Sequence, residues 1–263
     1  MEPHALDLDR LAKALQTQRY GRSITHREVT GSTNDDARAA GEAGASAGHV
    51  VVADAQTSGR GSRGRSWASP PGTDLYLSIL ERLPVPLAEL PPLTLAVGLG
   101  VAEAVDELLQ GTAPAAEVKW PNDVQIQGKK CAGILIEAST GSPKGDAVVV
   151  GIGLNVNRTL FPPELAGNAT SLSLQSLQGK PLDRSHALQL LLQHVERRVD
   201  DFVRNGAAAT VRALKPRLAL LGRAARCDEQ TGVVRGVAES GALLFETANG
   251  VEQVIAGRLL PIP

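Results

Sequence analysis

The sequence contains few of the residues that stabilise disulfide-rich folds or bind structural metals. Only Cys131 and Cys227 occur among the 263 residues, far apart and without a CxxC or Cys/His ligand spacing. A disulfide framework and a structural zinc site are therefore not indicated. Two isolated thiols fit a reducing compartment, so we expect a cytoplasmic protein.

Long apolar runs and a strong net charge are also missing. The N-terminus lacks the cationic segment and apolar core of an export signal, and the apolar stretch from Leu93 to Val105 is interrupted by Gly98, Gly100 and Glu103. We therefore expect neither export nor membrane insertion. The formal net charge is −1, which argues against general nucleic-acid binding and leaves any cationic stretch as a local feature.

One such stretch runs from Gln56 to Trp67. Its glycines and arginines are interleaved, in the order Gly59, Arg60, Gly61, Ser62, Arg63, Gly64 and Arg65. Glycine permits close backbone approach, and three arginines supply permanent positive charge, so the segment suits an anion. A flexible solvated loop or a nonspecific nucleic-acid patch is the alternative. Predicted strands on either side, His49–Ala53 and Asp74–Leu80, favour a loop fixed between sheet neighbours.

The spacing of apolar residues predicts helices around these strands. One short helix lies within residues 1–20 and ends at Gly21, and Ser32 with Asp35 forms a capping pair before another. Proline and glycine delimit a scaffold helix at Leu93–Leu109. An amphipathic helix spans Arg184–Asn205, and a second short helix continues to about Leu214.

Further strands carry two lysines and two glycines. A strand from Glu117 to Val124, interrupted by proline, leads through a Gln127-Gly128 turn into Lys129–Glu137, which places Lys119 and Lys130 at strand ends. A lone lysine there is usually a solvated edge charge. Gly151 and Gly153 close the next strand, and they lack the third glycine and following helix of a dinucleotide fingerprint. Beyond Pro216, short alternating strands predict a small β-barrel.

Taken together, five segments resemble biotin protein ligases. In chain order they are Ser32-Thr33-Asn34, Gln56 through Trp67, Lys119 through Asp123, Lys130 through Leu135, and Gly151 through Asn155. The resemblance covers residues 28 to 263. It implies an α+β fold, with a mixed sheet and flanking helices like a class II aminoacyl-tRNA synthetase at residues 1–215 and an SH3-like C-terminal barrel at 216–263.

The resemblance implies a two-step, AMP-forming ligase that uses Mg²⁺. Biotin's carboxylate attacks the α-phosphorus of ATP to give biotinyl-5′-AMP, which then acylates a lysine on the biotin carboxyl carrier domain of a carboxylase. The catalytic residues it implies are Lys130, Lys119, Arg60 and Arg65. The biotin site comprises Ser32, Thr33, Asn34, Gln56, Gly59, Arg60, Gly61, Ser62, Lys130 and Gly133. The ATP and adenylate site comprises Arg63, Arg65, Trp67, Lys119, Asn122, Asp123 and Asn155.

Chemistry gives some of these residues particular roles. Lys130, a compact point charge, would bridge the biotin carboxylate and the α-phosphate, with Lys119 nearer the other phosphates. Trp67 would separate the biotin and adenine ends, and Asp123 would hold either a lysine or the metal. The arginine loop, disordered without ligand, would close over the adenylate and exclude water.

The arginine loop departs from the family pattern at one position. The family commonly reads Gly-Arg-Gly-Arg-Arg-Gly-Arg, whereas this chain has Ser62 at the fourth position. A serine donates one hydrogen bond but carries no charge. We therefore expect weaker ATP binding or faster escape of the adenylate than with arginine there.

Other functions remain open from the sequence. A lipoate ligase uses a related fold and the same adenylate chemistry, although Gln56–Gly61 and Lys119–Asp123 favour biotin. A biotin-responsive transcription factor would need an N-terminal DNA-binding domain, for which the leader leaves no room, so no DNA partner is expected. A noncatalytic RNA- or peptide-binding module is a third option. The oligomeric state stays open, a homodimer included.

Overall fold

A seven-stranded mixed sheet forms the main body of the chain. The computed structural model describes residues 5–111, 113–139, 146–177 and 179–262. The strands are β1 (Ile24–Thr30), β2 (Val50–Gln56), β3 (Leu75–Glu81), β4 (Glu117–Lys119), β5 (Asp123–Ile126), β6 (Lys129–Ser139) and β7 (Ala147–Leu154). Their order is β1-β2-β3-β7-β6-β5-β4, in which β1 and β2 are parallel and the other neighbours antiparallel. The sheet predicted by resemblance is confirmed.

Helices cover both faces of this sheet. They are α1 (Leu8–Ala14), α2 (Thr33–Ala43), α3 (Leu93–Leu109), α4 (Leu172–Gln175) and α5 (Arg184–Leu214), with short 3₁₀ turns at Ser62–Gly64, Leu87–Glu89 and Lys215–Arg217. Because neighbouring strand residues point to opposite faces, Val51 packs under α2, whereas Val50 and Val52 join the larger core with α3 and α5.

Two helix predictions need correction. The first helix ends at Ala14 rather than near Gly21, because the buried Glu196 carboxylate accepts hydrogen bonds from the backbone N–H groups of residues 18, 19 and 20 at 2.7–2.9 Å. In this segment, hydrogen bonds to the Glu196 carboxylate replace those of a helix. Ser32 occupies the N-cap position of α2, but its side chain makes no capping hydrogen bond. The predicted break in the last helix is confirmed by the non-helical Gly206 within α5.

The C-terminal strands form a second sheet. They are β8 (Ala224–Cys227), β9 (Gln230–Val237), β10 (Leu243–Thr247), β11 (Gly250–Val254) and β12 (Leu259–Pro261), all antiparallel, in the order β11-β10-β9-β8-β12. The strands predicted for this region are present, but pairing between the described residues leaves β11 and β12 at the two edges. The small barrel that the sequence predicts is therefore observed as an open five-stranded sheet. The predicted boundary at 215/216 falls in the last 3₁₀ turn.

The second sheet is joined to the first by a buried indole. The Trp120 side chain is 2% exposed, and its Nε1 donates to the Gly241 carbonyl at 2.9 Å. The predicted proline interruption lies beside it, with a cis peptide between Trp120 and Pro121 separating β4 from β5. The β5–β6 hairpin and its predicted turn are also present. In the described residues, no helix has the length and apolar character needed to cross a bilayer.

Candidate active site

A large cavity lies where the main sheet, the arginine loop and the C-terminal sheet meet. Its volume is about 1210 Å³. All of the predicted site residues except Gly59 line it, namely Ser32, Thr33, Asn34, Gln56, Arg60, Gly61, Ser62, Arg63, Arg65, Trp67, Lys119, Asn122, Asp123, Lys130, Gly133 and Asn155. The five sequence segments thus converge on a single site, although they are spread over more than a hundred residues of chain.

The arginine loop has a defined conformation along the wall of this cavity. Arg60 and Ser66 form an isolated antiparallel bridge, and the Gly61 N–H donates to the Arg65 carbonyl at 2.7 Å. The tip is the 3₁₀ turn Ser62–Gly64. There the Ser62 hydroxyl accepts from Arg65 Nη2 at 3.0 Å, and its carbonyl accepts from Arg65 Nε at 3.2 Å. The unusual serine therefore has a structural role as the partner of Arg65.

Trp67 closes the loop by lying on a platform of two glycines. Gly133 of β6 and Gly153 of β7 face each other in register. A Cβ atom added to Gly133 would lie 2.8 Å from Trp67 Cζ3, and one added to Gly153 would lie 2.7 Å from Trp67 Cζ2. Any side chain at these positions would displace the indole. The position of the Trp67 indole therefore requires glycine on both strands, and its role as an apolar wall between the biotin and adenine ends stays a prediction.

One end of the cavity is lined by neutral side chains that already have partners. Gln56 Oε1 accepts from the Thr33 backbone N–H at 2.9 Å, and Gln56 Nε2 donates to Ser69 Oγ at 2.9 Å. Asn34 donates to Glu137 at 2.6 Å and accepts from Ser78 Oγ at 2.6 Å. Since buried polar groups are costly to leave unpaired, this network fixes the orientation of both amides.

Arg60 is paired with two carboxylates at the same end. Its Nη1 and Nη2 lie 2.6 and 2.8 Å from the two oxygens of Asp35, and Nη2 also lies 3.0 Å from Glu137 Oε2. The hydrogen bond from Arg60 holds the pKa of Asp35 below its usual range. Neither Asp35 nor Glu137 was predicted as part of the site, and no motif in the sequence links them to the loop.

The other end of the cavity carries cations. Lys130 Nζ lies 2.5 Å from Asp123 Oδ1 and 5.0 Å from the centre of the Trp67 ring. Of the two roles predicted for Asp123, the structure brings it into contact with a lysine. Within the described part of the chain, Lys119 has no carboxylate within 4 Å, and burial lowers its pKa, with the charges of Lys130, Arg258 and Arg65 adding to the decrease.

The two asparagines predicted to face adenine also line the cavity. Asn122 Nδ2 donates to the Ile134 carbonyl and Asn155 Nδ2 donates to the Thr170 carbonyl, both at 2.9 Å. Both side chains are buried. Their donor atoms are thus used to join neighbouring segments of backbone, and the adenine contact stays a prediction.

The C-terminal sheet supplies part of the cavity wall. The residues from 255 to 261 line it, Arg258 included. Asp228 accepts from the Arg258 backbone N–H at 2.8 Å and pairs with Arg63 of the loop at 3.1 Å. The hydrogen bond from Arg63, followed by that from Arg258, lowers the pKa of Asp228. The loop tip is therefore held by the second sheet.

A buried ion pair that the sequence did not reveal fixes the other end of the loop. Arg158 Nε donates to Asp74 Oδ2 at 2.7 Å, and its Nη2 donates to the Ala68 carbonyl at 2.7 Å. Asp74 is fully buried and also accepts from the Val156 N–H. Arg158 follows the predicted strand without any recognisable motif, so only its position in the fold identifies it.

Metal binding by the protein alone finds little support in this geometry. Among residues 5–111, 113–139, 146–177 and 179–262, no group of three or more His, Cys, Asp or Glu side chains is arranged to hold a metal ion. Asp123, the predicted ligand, is paired with Lys130. These residues do not form a magnesium site without additional oxygen ligands.

Comparison with known proteins gives a consistent result. The Biotin/lipoate A/B protein ligase family model matches residues 17–155. The biotin--[acetyl-CoA-carboxylase] ligase of Mycobacterium tuberculosis is 33% identical over 268 residues, which cover 95% of this chain and 97% of that protein. The bifunctional ligase/repressor BirA of Bacillus subtilis is also 33% identical, over 96% of this chain and 78% of its own length.

A solved structure shares the fold. The biotin protein ligase from Aquifex aeolicus, in complex with biotin and ATP, superposes with a TM-score of 0.77 at 32% sequence identity, covering 90% of this chain and 97% of that one. This chain belongs to the Biotin/lipoate A/B protein ligase family, and within that family to the biotin protein ligases.

Proposed function

We propose that this protein joins biotin to ATP, forming biotinyl-5′-AMP and pyrophosphate, and then transfers the biotinyl group to a carrier lysine. The observation that carries the proposal is the single cavity, which unites a neutral polar end with a cationic end. A relative whose structure contains both biotin and ATP has the same fold. Both substrates of the first step thus have chemically suitable surroundings in one cavity.

The neutral end suits the head group of biotin. A ureido group offers two donors and one acceptor, and hydroxyls, amides and exposed backbone match such a group without a net charge. Ser32, Thr33 and Gln56 supply the side chains, and the backbone of Arg60, which lines the cavity beside them, supplies a further N–H and carbonyl group. Because Gln56 and Thr33 already hold each other, the site needs little rearrangement on binding.

The cationic end suits the reacting groups. A carboxylate oxygen of biotin attacks the α-phosphorus, the bond from phosphorus to the bridging oxygen breaks, and pyrophosphate leaves. Negative charge accumulates during this step, so fixed positive charge lowers its barrier. Lys130 bridges the carboxylate and the α-phosphate, while Lys119 and Arg65 face the remaining phosphates. Asp123 orients the Lys130 ammonium through the contact at 2.5 Å.

The second step is aminolysis of the mixed anhydride. The neutral ε-amine of the carrier lysine attacks the acyl carbon, an amide bond forms, and AMP leaves with the electron pair of the acyl–oxygen bond. Trp67 on its glycine platform and the loop above it keep water from the anhydride until the amine arrives. The carrier is a biotin carboxyl carrier domain of a carboxylase, as the name of the Mycobacterium tuberculosis relative suggests.

Mg²⁺ enters this proposal as a companion of ATP. Magnesium is usually bound by one or two carboxylates together with substrate phosphates and water, so the nucleotide would supply most of its ligands. Asp123 is the acidic residue of the cationic end that was predicted for this purpose. We also infer a reducing cytoplasm, because both cysteines are free thiols buried in the fold.

Mass spectrometry of a carrier domain tests the reaction. After incubation with this protein, MgATP and biotin, we expect the carrier to gain one biotinyl group. Lys130→Ala should abolish the gain, whereas Lys129→Ala should retain it, because Lys129 is exposed and does not line the cavity. A parallel incubation with lipoate in place of biotin distinguishes a biotin ligase from a lipoate ligase. A carrier modified by lipoate and not by biotin would contradict the proposal.

A further inference from the structure

Arg60 lies in the cavity wall, but its charge is already balanced. The guanidinium is bound by both oxygens of Asp35 and by one oxygen of Glu137. Arg38 contacts the same two carboxylates at 3.2 and 3.4 Å. Two cations thus face two anions, and the cluster has no net charge to offer a phosphate or a carboxylate.

The cluster joins three elements of the fold. Arg60 belongs to the start of the arginine loop, Asp35 to the first turn of α2, and Glu137 to β6. A bidentate contact between guanidinium and carboxylate fixes direction as well as distance. The position of the Arg60 side chain therefore determines where the backbone of residues 59–61 lies.

A continuous series of hydrogen bonds connects this cluster with the other end of the loop. Glu137 accepts from Asn34, Asn34 accepts from Ser78 Oγ, and Ser78 Oγ is 2.8 Å from Thr33 Oγ1. Thr33 donates to Gln56, Gln56 donates to Ser69, and Ser69 Oγ donates to the Trp67 carbonyl at 3.0 Å. Both ends of the loop are thus fixed to the same buried network.

We propose that Arg60 is a positioning residue, which acts through Asp35 and Glu137 to hold the loop backbone against the biotin head group. The inference rests on the proposed function and reassigns Arg60 from the catalytic group that the sequence predicts. In this role the guanidinium does not contact the reacting atoms. Its loss should weaken biotin binding in the ground state and the transition state alike, which raises KM and leaves kcat nearly unchanged.

The test is a double-mutant cycle measured by pyrophosphate release. The variants are Arg60→Ala, the paired change Asp35→Asn with Glu137→Gln, and all three together. We expect Arg60→Ala and the paired change each to raise the KM for biotin about 5- to 10-fold, the range of a partly exposed ion-pair network. The KM for biotin of the triple variant should be no higher than that of either Arg60→Ala or the paired change, because each of these variants removes the same interaction.

A contact between Arg60 and a substrate anion predicts different results. Arg60→Ala would then lower kcat for adenylate formation, whereas Asp35→Asn with Glu137→Gln would release Arg60 and improve or preserve activity. Additive effects in the triple variant would likewise overturn the proposal. Arg38→Ala is the matched control, because it removes the other cation of the cluster without touching the loop, and we expect the KM for biotin to change less than 2-fold.

Hydrogen exchange of the free protein separates this inference from the proposed function. Amides of residues 59–69 should exchange faster in Arg60→Ala and in the paired variant, to the same extent, and should be unchanged in Arg38→Ala. If the wild type releases no pyrophosphate, the proposed function fails while this measurement still decides whether Arg60 anchors the loop. Unchanged exchange in Arg60→Ala would overturn the anchoring role.

Discussion

The polar side chains at the two ends of the cavity differ in whether they already have partners within the protein. At the end proposed for biotin, Thr33, Asn34 and Gln56 have partners within the protein, and Arg60 is neutralised by carboxylates. At the end proposed for the phosphates, Lys119 and Arg65 have no carboxylate within 4 Å among the described residues, and Lys119 is partly buried. The first end is complete without a ligand, whereas the second has excess positive charge.

This difference indicates that one end of the site selects the ligand, whereas the other stabilises the charge that develops during reaction. A preformed neutral pocket selects its ligand by shape and hydrogen bonding, with little energy spent on rearrangement. A partly buried, unpaired cation such as Lys119 is unfavourable without an anion and becomes favourable when one arrives, so it is suited to stabilising charge that develops during reaction. Substitutions at the two ends should therefore affect stability and rate in opposite ways.

Lys119→Met should have the largest effect. Removing one preorganised cation should lower kcat for pyrophosphate release by about 10²- to 10³-fold. The melting temperature should stay constant or rise, because an unpaired, partly buried charge has been replaced by an apolar side chain. Steady-state kinetics and calorimetry on the same preparation check both parts. Retention of activity within about 3-fold would remove Lys119 from the phosphate end.

Gly153→Ala should damage the platform between the two ends. The new methyl group would collide with the Trp67 indole, so the wall must move, and we expect the affinity for biotin to fall by about 10- to 50-fold. Isothermal titration measures the change. Gly167→Ala is the matched control, since a methyl group there would meet no atom within 4 Å. Equal affinity in both variants would show that the indole position does not matter.

Gln56→Ala should lower stability and leave kcat nearly unchanged, which is the opposite of the effect expected for Lys119→Met. It leaves the Thr33 N–H and Ser69 Oγ without their partner, which should destabilise the protein by about 1–3 kcal/mol. The KM for biotin should rise, and kcat should change little. Denaturant unfolding and initial rates test the pair of outcomes. A fall in kcat with unchanged stability would show that the biotin end is not preformed.

The pH dependence of adenylate formation should report the phosphate end. Lys119 acts while protonated, so activity is complete below its pKa and is lost as pH rises through it. Since burial lowers that pKa from 10.5, the alkaline limb of the rate profile should lie below the position of an ordinary lysine. Lys119→Arg should move the limb to higher pH, because a guanidinium does not titrate in this range. An identical limb in both proteins would assign it to another group.

Ser62→Arg should have the smallest effect. It adds a cation to the loop but removes the hydroxyl that accepts from Arg65, so the two changes partly cancel. We expect adenylate to escape about 2- to 5-fold more slowly and ATP to bind slightly more tightly, as for one screened surface contact. Release of labelled adenylate into a carrier-free solution measures the rate. If both quantities are unchanged, the charge missing at Ser62 has no influence.

The sequence predicts local structure well where the pattern is local. Apolar periodicity located α3, the break in α5 and the strands around the loop, and the glycine-arginine motif located one wall of the cavity. The first helix was predicted too long, because its apolar spacing continues past Ala14 while the competing carboxylate, Glu196, lies far away in the chain.

The pairing of charges could not be predicted in this way. Arg60 is 77 residues from Glu137, and Arg63 is 165 residues from Asp228. A sequence shows which side chains carry charge, but only the fold shows which of them are already neutralised. Arg60 and Lys119 are both cations within recognised motifs. Their different surroundings are the reason that we propose a positioning role for Arg60 and a charge-stabilising role for Lys119.

The contact between Arg63 and Asp228 makes the arginine loop sensitive to dissolved salt. Both side chains are about half exposed, at 41% and 50%, so the ion pair is weak and mobile ions screen it. Raising the ionic strength should loosen the tip of the loop from the C-terminal sheet, while the buried Asp74–Arg158 pair keeps its base fixed. A higher salt concentration should then shorten the time for which the site retains the reactive anhydride.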